Sequence, residues 1–121
     1  MALETCVNGV ANALATSEED FGVSTLLIAA FLRDMSEDSA LEVLDQLLAM
    51  HAPIAGIGLD SAEVGNPPSK FERLYQRASE AGLRRIAHAG EEGPAPTSPR
   101  PWTYFTWNGS ITASAVWKTR M

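Results

Sequence analysis

The sequence predicts an α/β fold of about three parallel strands with flanking helices, followed by an irregular C-terminal tail. Three observations carry this expectation. Stretches of strand length occur at Val23–Phe31, Ile54–Leu59 and Arg85–Ala89. Segments of helical periodicity with their own start or stop signals separate them. The chemistry of the chain also changes near Pro94, which divides it into residues 1–94 and 95–121.

From the start, Leu3, Val7, Val10 and Leu14 recur at helical spacing, with Cys6 and Ala11 beside them. Gly9 weakens that helix by about 1 kcal/mol relative to alanine without having to break it. Thr16 to Gly22 reads as a polar turn. Val23–Phe31 is then a nearly continuous apolar run, which suits a strand buried on both faces. Ser36 is placed to cap a helix over Glu37–Met50, with Glu37 and Asp38 at its positive end. Leu41, Leu44, Leu47 and Leu48 make its apolar face. Pro53 closes the turn before Ile54–Leu59, and a loop from Asp60 to Pro68 follows. Ser69 is expected to cap a third helix over Lys70–Ala81, with Phe71, Leu74, Tyr75 and Ala78 on one face and Gly82 at its end. Arg85–Ala89 then runs into the glycine-loosened loop that holds Gly90, Glu91, Glu92 and Gly93.

Helices and strands that alternate at this spacing imply parallel strands joined by right-handed crossovers. Ligands of such sheets gather at the carboxyl ends of the strands. Arg33, Asp60, Ser61, Glu63, His88 and Glu91 all fall there. Most of these have a plain alternative. Arg33 with Asp34 reads as a solvated strand exit, Asp60 as a cap of its own loop, and Glu63 as an ordinary loop acid. His51 lies at a helix end, where a dipole or capping role outweighs metal binding. His88 and Glu91 are either a hydrogen-bonded structural pair or a metal ligand with a proton-transfer group.

Composition narrows the classes. The chain has 121 residues, 45% of them apolar, which suits one globular domain. A single cysteine, Cys6, excludes an internal disulfide framework and fits a reducing cytoplasm. No apolar run approaches the roughly 20 residues of a membrane span, so a cytoplasmic protein is expected. Residues 1–92 hold all 15 acids and six of the nine bases, a net charge of −9. The rest hold no acid and three bases, Arg100, Lys118 and Arg120. So acidic a body argues against nucleic acid as a partner, which needs a basic footprint.

The loop residues carry a family resemblance. Gly58-Leu59-Asp60-Ser61-Ala62-Glu63-Val64-Gly65-Asn66-Pro67-Pro68-Ser69-Lys70-Phe71, followed by His88-Ala89-Gly90-Glu91, resembles the adenosine/adenine deaminase family. The likeness extends back through Phe31-Leu32-Arg33-Asp34 and covers about residues 2–94. It implies part of an eight-stranded (β/α) barrel, or TIM barrel, with a zinc ion at its carboxyl end. Val23–Phe31, Ile54–Leu59 and Arg85–Ala89 would be its third, fourth and fifth strands. His88 would be a metal ligand, and Glu91 the acid that protonates the purine ring nitrogen. Asp60, Ser61, Glu63 and Gly90 would line the substrate. A carboxylate at Glu63, where the adenosine enzymes carry glycine, would take room near a ribose. The resemblance therefore implies free adenine rather than adenosine, a purine base rather than a nucleoside.

This sequence departs from the family pattern in the metal set. No His-x-His occurs, and the chain has two histidines, His51 and His88. A catalytic zinc needs at least three protein ligands. The expectation is a truncated, inactive deaminase segment that does not retain zinc by itself. In the tail, Pro94, Pro96, Pro99 and Pro101 oppose regular structure, and all three tryptophans lie among Thr, Ser and Pro. Back-translation with a one-base shift from Pro96–Thr97 can spell YITEALDVLHVERIDHGIRCLEDPD, a helix followed by a strand ending in His-Gly. That points to a single-base deletion near Ala95 to Pro96 in the gene. Two other functions remain open from sequence. One is an interaction or complementation module that self-associates through open barrel edges. The other is a small α/β protein using Glu91 and Glu92 for unrelated chemistry.

Overall fold

The computed structural model describes residues 2–88. Its elements are α1 (Leu3–Phe21), β1 (Leu27–Leu32), α2 (Glu37–Ala49), β2 (Ile54–Asp60), a 3-10 turn (Pro68–Phe71), α3 (Glu72–Glu80) and β3 (Arg84–Arg85). The three strands form one parallel sheet in the order β1-β2-β3. Consecutive parallel neighbours joined through helices are what the alternation predicted, and this is the unit from which a (β/α) barrel is built.

The core lies between the sheet and the α2/α3 pair. Ala40, Leu44 and Leu47 of α2 meet Phe71, Leu74, Tyr75 and Ala78 of the next helical segment, together with Phe31, Ile57 and Leu59 of the sheet. Each large side chain buried there contributes about 1.5–3 kcal/mol relative to exposure. Leu41 and Leu48, expected on the buried face of α2, pack at its margin.

Several boundaries differ from expectation. The helix α1 continues through the supposed polar turn to Phe21 and stops at Gly22, whose φ of 66° lets its N–H reach Glu18 O at 2.9 Å. Nothing between Thr16 and Phe21 breaks a helix, and acids need no burial when the helix lies against solvent. No residue of α1 is buried, and only Leu3 and Val7 rest against the core.

The first strand begins at Leu27 rather than Val23, and it is not buried on both faces. Phe31 is covered, whereas Leu26, Ile28 and Leu32 are exposed. An apolar run shows that a strand forms but not which of its faces finds a neighbour. By contrast β2, the central strand, is buried from Gly56 through Leu59.

Ser69 does not cap α3. Pro68 opens a 3-10 turn that absorbs Ser69 and Lys70, and α3 starts at Glu72. Its free N–H groups go instead to Glu37 Oε1, which accepts from Arg73 N at 2.7 Å and Leu74 N at 3.1 Å. Ser36 does cap α2, accepting from Ser39 N at 3.2 Å. The last strand is short: Arg84 and Arg85 pair with Gly56 and Ile57, and Ile86 N still donates to Ile57 O at 3.0 Å. A side chain at Gly56 would place its Cβ 2.8 Å from Arg84 O, so glycine is required where these strands meet. Ala89, the expected end of this strand, and the tail 95–121 lie outside the described residues.

Candidate functional site

The carboxyl ends of the three strands converge. Leu32 pairs with Asp60 at the end of the β1–β2 ladder, and Arg33 N donates to Asp60 O at 2.9 Å. From the Ile57–Arg85 pair, three residues lead to Asp60 on one strand and to His88 on the other. The backbone of the sheet thus delivers Arg33, Asp60 and His88 to one edge.

The loop after β2 turns sharply at once. Ser61 adopts φ 75°, a left-handed conformation that costs a non-glycine residue about 1–3 kcal/mol. Its N–H is held by Asp60 Oδ1 at 2.8 Å, so the expected cap of the loop by Asp60 is present. The chain then folds inward. Glu63 is buried, at 8% exposure, which corrects its reading as an ordinary loop acid. Gly65 at φ 79° turns the chain again, and Asn66 closes it. Asn66 N donates to Glu63 O at 3.0 Å, while Asn66 Nδ2 donates to Ala62 O at 3.1 Å and Val64 O at 3.3 Å.

Arg33 is the largest correction. It is not a solvated exit but fully buried. Its Nε donates to Asn66 O at 2.8 Å and its Nη1 to His88 O at 3.0 Å. Lys70 Nζ completes the frame, donating to Arg33 O at 2.9 Å and to Asn66 Oδ1 at 2.8 Å. Asn66 and Lys70 were not legible as site residues. Both stand within the stretch that carries the family resemblance, but neither was assigned a role there.

Of the sequence-predicted site residues, Asp60, Ser61, Glu63 and His88 lie at this one end of the sheet, with His88 half-buried and Asp60 exposed. Gly90 and Glu91 lie outside the described residues. His51 is remote from the group: it lies in the turn two residues beyond α2 at φ 53°, exposed, its N–H on Leu48 O at 3.1 Å. Among the described residues no three His, Cys, Asp or Glu side chains come together as a metal would need. No helix among them is long and apolar enough to cross a membrane.

Comparisons agree with this geometry. The family model described as adenosine deaminase matches residues 1–98. An adenine deaminase of Vibrio parahaemolyticus is 51% identical over 92 residues, which are 76% of this chain and 27% of that protein. One of Streptomyces coelicolor is 56% identical over 90 residues, covering 74% of this chain and 26% of the relative. Among solved structures, the adenine deaminase of Arthrobacter aurescens superposes with a TM-score of 0.77 and 98% identity, over 78% of this chain and 29% of its own. An amidohydrolase of Burkhoderia ambifaria with bound Zn gives a TM-score of 0.65 at 36% identity, over 68% of this chain and 23% of its own. The chain therefore spans under a third of the length of the relatives it matches.

Proposed function

Because the chain belongs to the adenosine deaminase family, we propose that residues 2–94 form the substrate-loop and His88 portion of an adenine deaminase site. The reaction is the hydrolytic conversion of adenine to hypoxanthine. The observation that carries this is the convergence of Asp60, Ser61, the buried Glu63 and His88 at one carboxyl edge of a parallel sheet. Adenine deaminases at 51% and 56% identity support adenine over adenosine.

In this reading Glu91 is the general acid that gives a proton to the purine ring nitrogen, a contribution of about 10²–10⁴-fold. Asp60, Ser61, Glu63 and Gly90 are assigned to binding the base. The carboxylate of Glu63 occupies room near the position a ribose would take. His88 belongs to the metal side of the site.

The donor set does not fit a catalytic zinc by itself. Such a site takes three protein ligands, whereas the whole chain has two histidines and the described residues assemble no group of three donors. No step is therefore assigned to a metal held by this chain. Residues 1–94 are the deaminase segment, and residues 95–121 follow from a shifted reading frame. A family match that ends at residue 98, with 23 residues of the chain still to come, supports a division in that region.

The test uses two proteins: the 121-residue chain, and residues 2–94 set in place within the Arthrobacter aurescens adenine deaminase. Loss of adenine absorbance is followed with adenine and with adenosine. Turnover of adenine in preference to adenosine is expected from the second protein, and none above background from the first. Preference for adenosine overturns the substrate assignment. Stoichiometric zinc with turnover from the 121 residues alone overturns the segment reading.

A further inference from the structure

The guanidinium of Arg33 reaches across the whole carboxyl edge of the sheet. Its main chain ends β1 and donates to Asp60 at the end of β2. Its Nε takes Asn66 O, 33 residues on, and its Nη1 takes His88 O, 55 residues on. One side chain thereby ties the end of β1, the loop that buries Glu63 and the strand end that bears His88. Lys70 braces the same frame from outside by holding Arg33 O and Asn66 Oδ1.

Packing alone does not account for this residue. It is 0% exposed, and its Nη2 has no acceptor among the described residues. Burying a donor without an acceptor is unfavourable, so an apolar side chain would fill the space at less cost. The guanidinium offers something an apolar group cannot, a rigid planar fork with donors at fixed angles. Both carbonyls on Nε and Nη1 are main-chain atoms, so the fork positions backbone. The carboxylate of Glu63 and the imidazole of His88 are carried on the segments it holds.

We propose that Arg33 is a positioning residue for the adenine site, fixing the Ala62–Asn66 loop against the His88 strand end so that both face one purine. The inference rests on the reading above for its function, though not for its geometry. Displacing reacting groups by an ångström from their working geometry is enough to cost a large factor in rate. Lysine keeps the charge but not the fork, so Arg33→Lys separates the two.

Two measurements test it. In the 121-residue chain, amide exchange is compared at Asn66 and Ile86, whose N–H groups report the loop and the last strand, and at Leu44 and Leu47 inside α2. Arg33→Lys is expected to speed exchange at the first pair by about tenfold or more and leave the second pair unchanged. Equal acceleration everywhere marks a filler of the core, and no change marks an ornament; either overturns the proposal. In residues 2–94 placed within the Arthrobacter aurescens enzyme, Arg33→Lys is expected to lower kcat about tenfold or more while KM moves much less. Lys70→Met, which loosens the frame without touching the buried guanidinium, is expected to act in the same direction and serves if Arg33→Lys does not fold. Unchanged kcat in a folded variant overturns the proposal. Turnover by the unsubstituted enzyme tests the adenine reading separately, and if it is absent the exchange pattern still decides the role of Arg33.

Discussion

The phenol of Tyr75 donates to the backbone carbonyl of Ile86 at 2.7 Å, joining the buried face of α3 to the strand end that leads to His88. The ring itself is buried, at 4% exposure. Tyr75→Phe keeps the ring and leaves the Ile86 carbonyl without that donor. It is expected to lower stability by about 1–2 kcal/mol, read as a lower urea midpoint at unchanged slope.

The same burial makes stability depend on alkali. Desolvation pushes the Tyr75 phenol above its ordinary value near 10, against a smaller opposing pull from Arg33 and Arg85. Below that ordinary value both folded and unfolded states hold the proton, and the contribution is whole. Above it the unfolded state ionises first, so stability falls as pH rises. The difference in unfolding free energy between the native chain and Tyr75→Phe is expected to shrink from pH 9 to about pH 11. A difference that stays constant over that range contradicts the assignment.

Glu37 does for α3 what Ser69 does not. Its carboxylate accepts the N–H groups of Arg73 and Leu74 at the positive end of that helix, and only 13% of its side chain is exposed. Removing a helix cap costs about 0.5–2 kcal/mol, and Glu37→Ala is expected in the upper half of that range. The Arg73 side chain, which pairs with both Glu37 and Asp38, is 62% exposed and screened by solvent. Arg73→Ala is expected to cost less than Glu37→Ala in the same denaturation experiment.

Glu91→Gln, made in residues 2–94 within the Arthrobacter aurescens enzyme, is expected to reduce adenine turnover by about 10²-fold or more, with metal content unchanged. The amide keeps the shape of the side chain but cannot supply the carboxyl proton. Loss of metal together with activity would instead place Glu91 among the ligands.

The codons of the tail test its origin. A single-base deletion near Ala95 to Pro96 requires that the codons of Ile111, Thr112 and Ala113 contain CAC-GGC when read in the shifted frame. Sequencing the gene checks this directly. Any other bases there require a different account of residues 95–121.

Local chemistry was legible in the chain. The caps and periodicities of α2 and β2 depend on residues a few positions apart, and they were located to within a residue or so. The parallel order followed from alternation, because short connections leave few other topologies. The likeness that named Asp60, Ser61, Glu63 and His88 needed only contiguous motifs. What the tertiary structure decided was every property set by a distant neighbour. The exposed and covered faces of β1 depend on what lies beside the sheet, and the apolar run was the same either way. The start of α3 was moved by a carboxylate from α2, 36 residues earlier. Arg33 beside Asp34 has the composition of a solvated turn, yet it is fully buried because carbonyls 33 and 55 residues away meet its guanidinium. Hydrogen bonds between segments far apart in the chain leave no period and no spacing to read, so only the folded arrangement reveals them.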